Sequence, residues 1–160
     1  MDWNERQDEG YPIANAVEEK VTEFPDWEKE IRIYYDRWAE MLSGPIHESV
    51  EIFRKLKQNT SLKLYALTNW SVELFPIALE RYDFLHWFDG RVVSGEEKMR
   101  KPFPEFYQLL LDRYNVNAFE ALFIDDSLRN VNGAESVGIK GIHFKDSQQL
   151  EEKLKKFELL

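Results

Sequence analysis

The sequence predicts an α/β fold of the doubly wound kind, a parallel sheet with helices on both faces, joined to a helical N-terminal region. Three observations carry this. Residues up to about 58 show helical rhythm only. After Thr60, short apolar runs alternate with amphipathic stretches, the pattern of parallel strands linked by right-handed crossovers. Polar residues gather where those apolar runs end, which is where open α/β sheets bind ligands.

The elements follow in order. A weak helix runs from about Ile13 to Phe24. Trp27, Ile31, Tyr34, Tyr35, Trp38, Met41 and Leu42 then recur at helical steps, one stripe on a single helix of roughly four turns. Pro25-Asp26 suits its start, Glu28 and Glu30 sit near the positive end of its dipole, and Ser43-Gly44-Pro45 stops it. A third helix turns Ile46, Val50, Phe53 and Leu56 inward. Strands are expected at 62–68, 91–94, 121–125 and 139–144, with helices at about 71–82, 103–114, 128–137 and 147–157. Phe103, Phe106, Tyr107, Leu110, Leu111 and Tyr114 show the helical spacing most clearly. The final stretch places acids before bases on a closing amphipathic helix.

Composition bounds the function. At 160 residues and 43% apolar, the chain can build one compact core. No apolar run approaches the roughly 20 residues of a membrane span. The opening residues lack the basic start and apolar stretch of a secretory leader. Without cysteine, disulfide scaffolds, Cys zinc sites and thiol catalysis are excluded. The net charge is −9, and the first thirty residues hold ten acids against three bases. No basic excess marks a nucleic-acid or anionic-membrane surface, so neither partner is expected, and a cytoplasmic location is. His47, His86 and His143 stand far apart and lack zinc-site spacing.

The chemistry lies at the strand ends. The first strand ends in Thr68-Asn69, the second leads into Lys98-Met99-Arg100-Lys101-Pro102, and the third ends in Asp125-Asp126-Ser127. Singly these have plain explanations: Thr68 or Asn69 as a helix cap, Lys101 as a turn lysine. Two adjacent acids at a buried strand end are harder to explain without a compensating cation or donors. Together they make sense as a hard oxygen site for Mg²⁺, a second positive charge, and a hydroxyl for a phosphate oxygen. Lys plus Mg²⁺ is how a site neutralises a transferring phosphoryl group.

With these residues in this order, the chain resembles the haloacid dehalogenase-like (HAD) hydrolase superfamily over residues 46 to 160. Leu67-Thr68-Asn69-Trp70 resembles the family's phosphate-binding second motif. Lys101-Pro102, followed by Tyr107, resembles the third, whose Lys steadies the nucleophile and the phosphoryl group. Phe123-Ile124-Asp125-Asp126-Ser127, with Asn130, resembles the acidic metal motif. The resemblance implies Asp126 as the direct Mg²⁺ ligand, with Asp125 and Asn130 in support. It implies Thr68, Asn69 and Trp70 on the substrate side and Lys101 in the catalytic charge balance. Residues 1–45 resemble part of the family's helical cap, and 46–160 its HAD-like Rossmannoid core.

The departure from the family is large. Its first motif, Asp-x-Asp after a central strand, supplies the aspartate nucleophile, and no two aspartates of this chain stand at i and i+2. The expectation is therefore a truncated chain lacking the first, central strand and about 50 residues around it. Such a chain is expected to be inactive alone. Its parent would hydrolyse small phosphate esters with Mg²⁺ through an aspartyl-phosphate, and this chain would hold metal weakly or not at all. An uncovered sheet interior favours self-association or a complementing N-terminal segment. Two alternatives stay open: carbon–halogen hydrolysis of the haloacid dehalogenase type, and a degenerate HAD protein that binds without catalysing.

Overall fold

In a computed structural model, residues 3–160 are described. Asp2, one of the aspartates counted in the search for an Asp-x-Asp pair, lies outside them. The N-terminal region consists of α1 (Trp3–Asp8), α2 (Ile13–Glu23) and α3 (Glu28–Asp36). Then follow α4 (His47–Gln58), β1 (Tyr65–Thr68), α5 (Phe75–Arg81), β2 (Gly90–Val93), α6 (Ser94–Glu97) and α7 (Pro104–Tyr114). The chain closes with β3 (Leu122–Asp125), α8 (Leu128–Ser136), β4 (Lys140–His143) and α9 (Ser147–Lys156). No helix among the described residues is long and apolar enough to cross a membrane.

All pairing is parallel. β1 lies beside β2 from Tyr65↔Gly90 to Thr68↔Val93, and β3 beside β4 from Leu122↔Lys140 to Asp125↔His143. Among the described residues these form two separate two-stranded sheets, with no ladder from β1 to β3. Helices cover both with two apolar clusters. Ile52 and Leu56 of α4 meet Ile142, Leu150 and Leu154, and take in Leu62, Leu64 and Leu122. Tyr107, Leu111, Ala134 and Ile139 form the other cluster, against which Leu67 of β1 and Phe123 of β3 both pack. The second cluster thus spans the break between the sheets.

Several boundaries differ from the sequence reading, each for a local reason. The strand expected from 62 begins only at Tyr65, because the Leu64 amide donates to Asp89 Oδ2 at 2.9 Å rather than to a ladder. The helix expected from 71 begins at Phe75, since the Ser71 hydroxyl accepts from the Glu73 amide and turns the chain first. Short helices α1 and α6 are not foreseen by the sequence pattern. The expected single helix across Trp27 to Leu42 is broken into a 3₁₀ turn at Pro25–Trp27, α3, and a second 3₁₀ turn at Trp38–Met41. The second turn sets the Trp38 ring edge-on to Trp70 at 5.9 Å, a tertiary contact that overrides the 3.6-residue rhythm. Trp27 is exposed, not core, as are Met41 and Ile46. α9 behaves as read: the Asp146 carboxylate caps it by accepting from the Gln149 amide at 2.7 Å, and Leu150 and Leu154 are buried.

Candidate active site

Thr68 and Asp125 are the last residues of β1 and β3, so both lie on the carboxyl-end rim. Lys101 reaches that rim from the turn before α7, joined to Pro102 by a cis peptide. Its Nζ lies 2.7 Å from Asp125 Oδ2, and both residues are buried. The other Asp125 oxygen accepts from the Ser127 amide at 2.8 Å and from Asn130 Nδ2 at 3.0 Å. A buried ion pair holds only when the remaining lone pairs are satisfied this way. Asn130 is fixed in turn, its carbonyl accepting from the buried Tyr107 hydroxyl at 2.7 Å. Burial pushes the Tyr107 phenol well above its ordinary range.

Asn69 grips Lys101 through the main chain. Its Oδ1 accepts from the Lys101 amide at 2.8 Å, and its Nδ2 donates to the Lys101 carbonyl at 3.0 Å. The amide therefore orients the lysine that faces Asp125. Asp126 differs from its neighbour: it is exposed, and its carbonyl lies 3.0 Å from His143 Nε2. Among the described residues no three acidic or histidine side chains gather into a metal cluster. One exposed carboxylate beside a buried Lys–Asp pair fits a magnesium ion that keeps most of its waters and takes further ligands from a phosphate. Tight binding by protein ligands alone is not what this donor set offers.

Trp70 and the following turn pack closely on the start of α6. The Trp70 amide donates to Ser94 Oγ at 2.8 Å, and its carbonyl accepts from the Gly95 amide at 3.1 Å. A Cβ on Gly95 would lie 2.4 Å from the Val72 nitrogen, so only glycine permits that approach.

Residues from the helical region also reach this rim, and the sequence reading missed them. Arg100, buried, meets Glu5 at 3.0 Å and Glu9 at 3.6 Å, while Arg129 meets Glu5 at 2.7 Å. The Arg129 hydrogen bond holds the Glu5 carboxyl below its usual range. Ser94 Oγ donates to the Asp8 carbonyl. A cleft of about 180 Å³ opens between α1, the Trp38 turn and the residues after β1, and Asp8, Tyr35, Trp38, Asn69 and Trp70 lie along it. Burial raises the Asp8 carboxyl to about 6, against the pull of Arg100 and Lys101. A signal was present: Asn4, Gln7 and Asp8 fall at i, i+3 and i+4, a polar face on a helix that docks.

The fold and this rim define a parallel α/β protein with a charge-handling site at its strand ends. A sequence model of the haloacid dehalogenase-like hydrolases matches residues 1–138, and the chain belongs to that family. It is similar to the sesquiterpene phosphatase astK of Aspergillus oryzae, 36% identical over 103 residues, which cover 64% of this chain and 52% of astK. It is also similar to a phosphorylated carbohydrates phosphatase of Thermotoga maritima, 30% identical over 138 residues, covering 84% of this chain and 62% of that protein. The chain thus spans between half and two thirds of these relatives. A HAD family enzyme of Bacteroides thetaiotaomicron, crystallised with magnesium and inorganic phosphate, shares the fold. Its TM-score is 0.69 at 22% identity, over 91% of this chain and 77% of that one.

Proposed function

We propose that the chain carries the phosphate- and metal-handling part of a Mg²⁺-dependent phosphate-ester hydrolase. The observation that carries the reading is the buried Lys101–Asp125 pair at the strand-end rim, with exposed Asp126 beside it and Thr68 on the same rim. Thr68 would hold a phosphoryl oxygen, and Trp70 would border the ester's leaving group. Asn69 orients Lys101, whose ammonium offsets phosphoryl charge. Asp125 holds that ammonium in place, and Asn130 holds Asp125. Asp126 would hold the metal, which when bound supplies positive charge to the phosphoryl oxygens. The two named phosphatase relatives support a small phosphorylated substrate.

The nucleophile would come from an aspartate outside these 160 residues, because no Asp-x-Asp occurs in them. The missing ladder between β1 and β3 supports an additional strand there in the active protein. Residues 1–45 would act as part of a cap over residues 46–160. The test is hydrolysis of an aryl phosphate by the chain alone and by the chain extended with its natural upstream residues. We expect turnover in the extended protein only, abolished by a chelator and by Asp126→Asn. Turnover untouched by chelator would sink the metal-dependent reading. An extended protein that binds phosphate but never turns over would favour a non-catalytic role instead.

A further inference from the structure

Two acids at the rim are bound in the same way, one buried and one nearer the surface. Asp125 accepts from Lys101 Nζ at 2.7 Å on one oxygen and from Asn130 Nδ2 at 3.0 Å on the other. Glu5 accepts from Arg100 Nη2 at 3.0 Å on one oxygen and from Arg129 Nη2 at 2.7 Å on the other. Arg100 and Arg129 immediately precede Lys101 and Asn130 in the chain. The lysine turn and the first turn of α8 are thus clamped twice, from β3 by Asp125 and from α1 by Glu5.

The outer clamp is more than a surface ion pair. The Arg100 side chain is 4% exposed, and its Nη1 donates to the Lys101 carbonyl at 3.3 Å, the same oxygen that takes Asn69 Nδ2. Its Nε has no hydrogen-bond partner among the described residues, with the Glu9 carboxylate 3.6 Å away. Glu5 is therefore the carboxylate that hydrogen-bonds this buried guanidinium. Asn130 Oδ1 is likewise buried without a donor among the described residues, so the Asn130 side chain depends on its single bond to Asp125 and on where α8 puts it. Asn69 ties the lysine turn to the end of β1, and the Tyr107 hydroxyl ties α8 to α7. Glu5 ties the turn to α8. Without an anion between them, two guanidiniums drawn to one point repel each other, and a buried one left unpaired is costly. Parting them draws Lys101 and Asn130 off Asp125. Resting on the phosphate-ester reading, we propose that Glu5 is a positioning residue. Docking of α1 through Glu5 holds Lys101 and Asn130 on Asp125, and so sets the ammonium where it offsets phosphoryl charge.

The test uses the 160-residue chain labelled with ¹⁵N in its lysines. An ammonium held by a carboxylate and shielded from water exchanges its protons slowly enough to give a proton–nitrogen signal, and the Lys101 signal is the one missing in Lys101→Arg. Glu5→Gln, which keeps the size of the side chain and removes its charge, should broaden that signal away. Glu19→Gln, which breaks the exposed Arg6–Glu19 pair between α1 and α2, should leave it sharp. Arg129 is 58% exposed, so its variants probe the clamp even where Glu5→Gln loosens α1 as a whole. Arg129→Gln should weaken the signal and Arg129→Lys should keep it. With magnesium present, Glu5→Gln should also bind inorganic phosphate on the order of ten-fold more weakly than the natural chain, as loss of an outer supporting group does. A Lys101 signal unchanged in both Glu5→Gln and Arg129→Gln, lost equally in Glu19→Gln, or absent from the natural chain overturns the role of Glu5. Failure of the natural chain to bind inorganic phosphate, with the lysine signals behaving as expected, overturns the phosphate reading and leaves the clamp standing.

Discussion

Residues 3–46 and residues 47–160 are held by different forces. In the helical region the buried residues are Gln7, Ala16 and Val17. Exposed ion pairs link its helices, Arg6–Glu19 at 2.7 Å and Arg32–Glu18 at 2.6 Å, with Trp3 tilted against Tyr34 and Tyr35. The α/β region closes two apolar clusters and buries the Lys101–Asp125 pair. Exposed pairs contribute little because water and salt replace them, whereas apolar burial and a desolvated pair have no substitute in solvent. The site lies on the seam between the two. Its Lys101–Asp125 side is buried, and its Asp8 side hangs on polar contacts through α1.

The sharpest way to break this contrast is Lys101→Ala. It leaves Asp125 buried without its cation and should cost about 3–5 kcal/mol in chemical denaturation. A loss below about 1 kcal/mol would mean that Asp125 is effectively solvated and that the two regions are alike. Next, Leu154→Ala in the α4–α9 cluster should cost about 2–5 kcal/mol, whereas Trp27→Ala, 62% exposed, should stay within about 0.5 kcal/mol. Equal losses at the two positions would remove the distinction.

Arg100→Gln probes the seam itself. It releases Glu5 and Glu9 and should lower the local stability of α1 by about 2 kcal/mol. Hydrogen exchange should then speed up in residues 3–46 and stay slow in α7 and α9. Uniform acceleration would show one cooperative unit.

A smaller effect of opposite sign is expected from Asp8→Asn. The folded carboxyl titrates at about 6 against an ordinary 3.8. Between those values the folded state binds more protons than the unfolded one, so stability falls as pH rises through this window. Removing the charge should therefore stabilise the chain above about pH 6, by roughly 1–2 kcal/mol once residual solvation is allowed for, and change nothing below about pH 4. Melting curves at both ends of that range check the sign. Arg32→Gln, on the exposed face of α3, should leave the melting temperature unchanged at physiological salt.

Much of the α/β region was legible in the sequence because its signals are local. Short apolar runs located every strand among the described residues, and 3.6-residue apolar spacing the helices α7, α8 and α9, to within a few residues. The strand-end residues Thr68 and Asp125 were legible for the same reason, since the end of an apolar run in a parallel sheet predicts the rim, and Lys101 stood out in the basic turn that leads into the next helix. The helical region was read less well. Its stripe from Trp27 to Leu42 has helical spacing yet breaks at Arg37, where packing of Trp38 against Trp70 outweighs propensity.

The sequence by itself determined the class of fold, the order of its strands along the chain, and the residue types at their ends, because those depend on neighbours within one or two turns. Only the tertiary structure decided what each polar group does. It gave Asp125 to Lys101 and left Asp126 exposed, although the two are adjacent and chemically identical. It bound the Asn69 amide to the Lys101 main chain, and it brought Asp8, near the start of the sequence, to the cleft that Trp70 borders. These assignments turn on distances between residues 24 to more than 60 positions apart. Local pattern carries no information at that range, where burial and the competition for donors set the outcome.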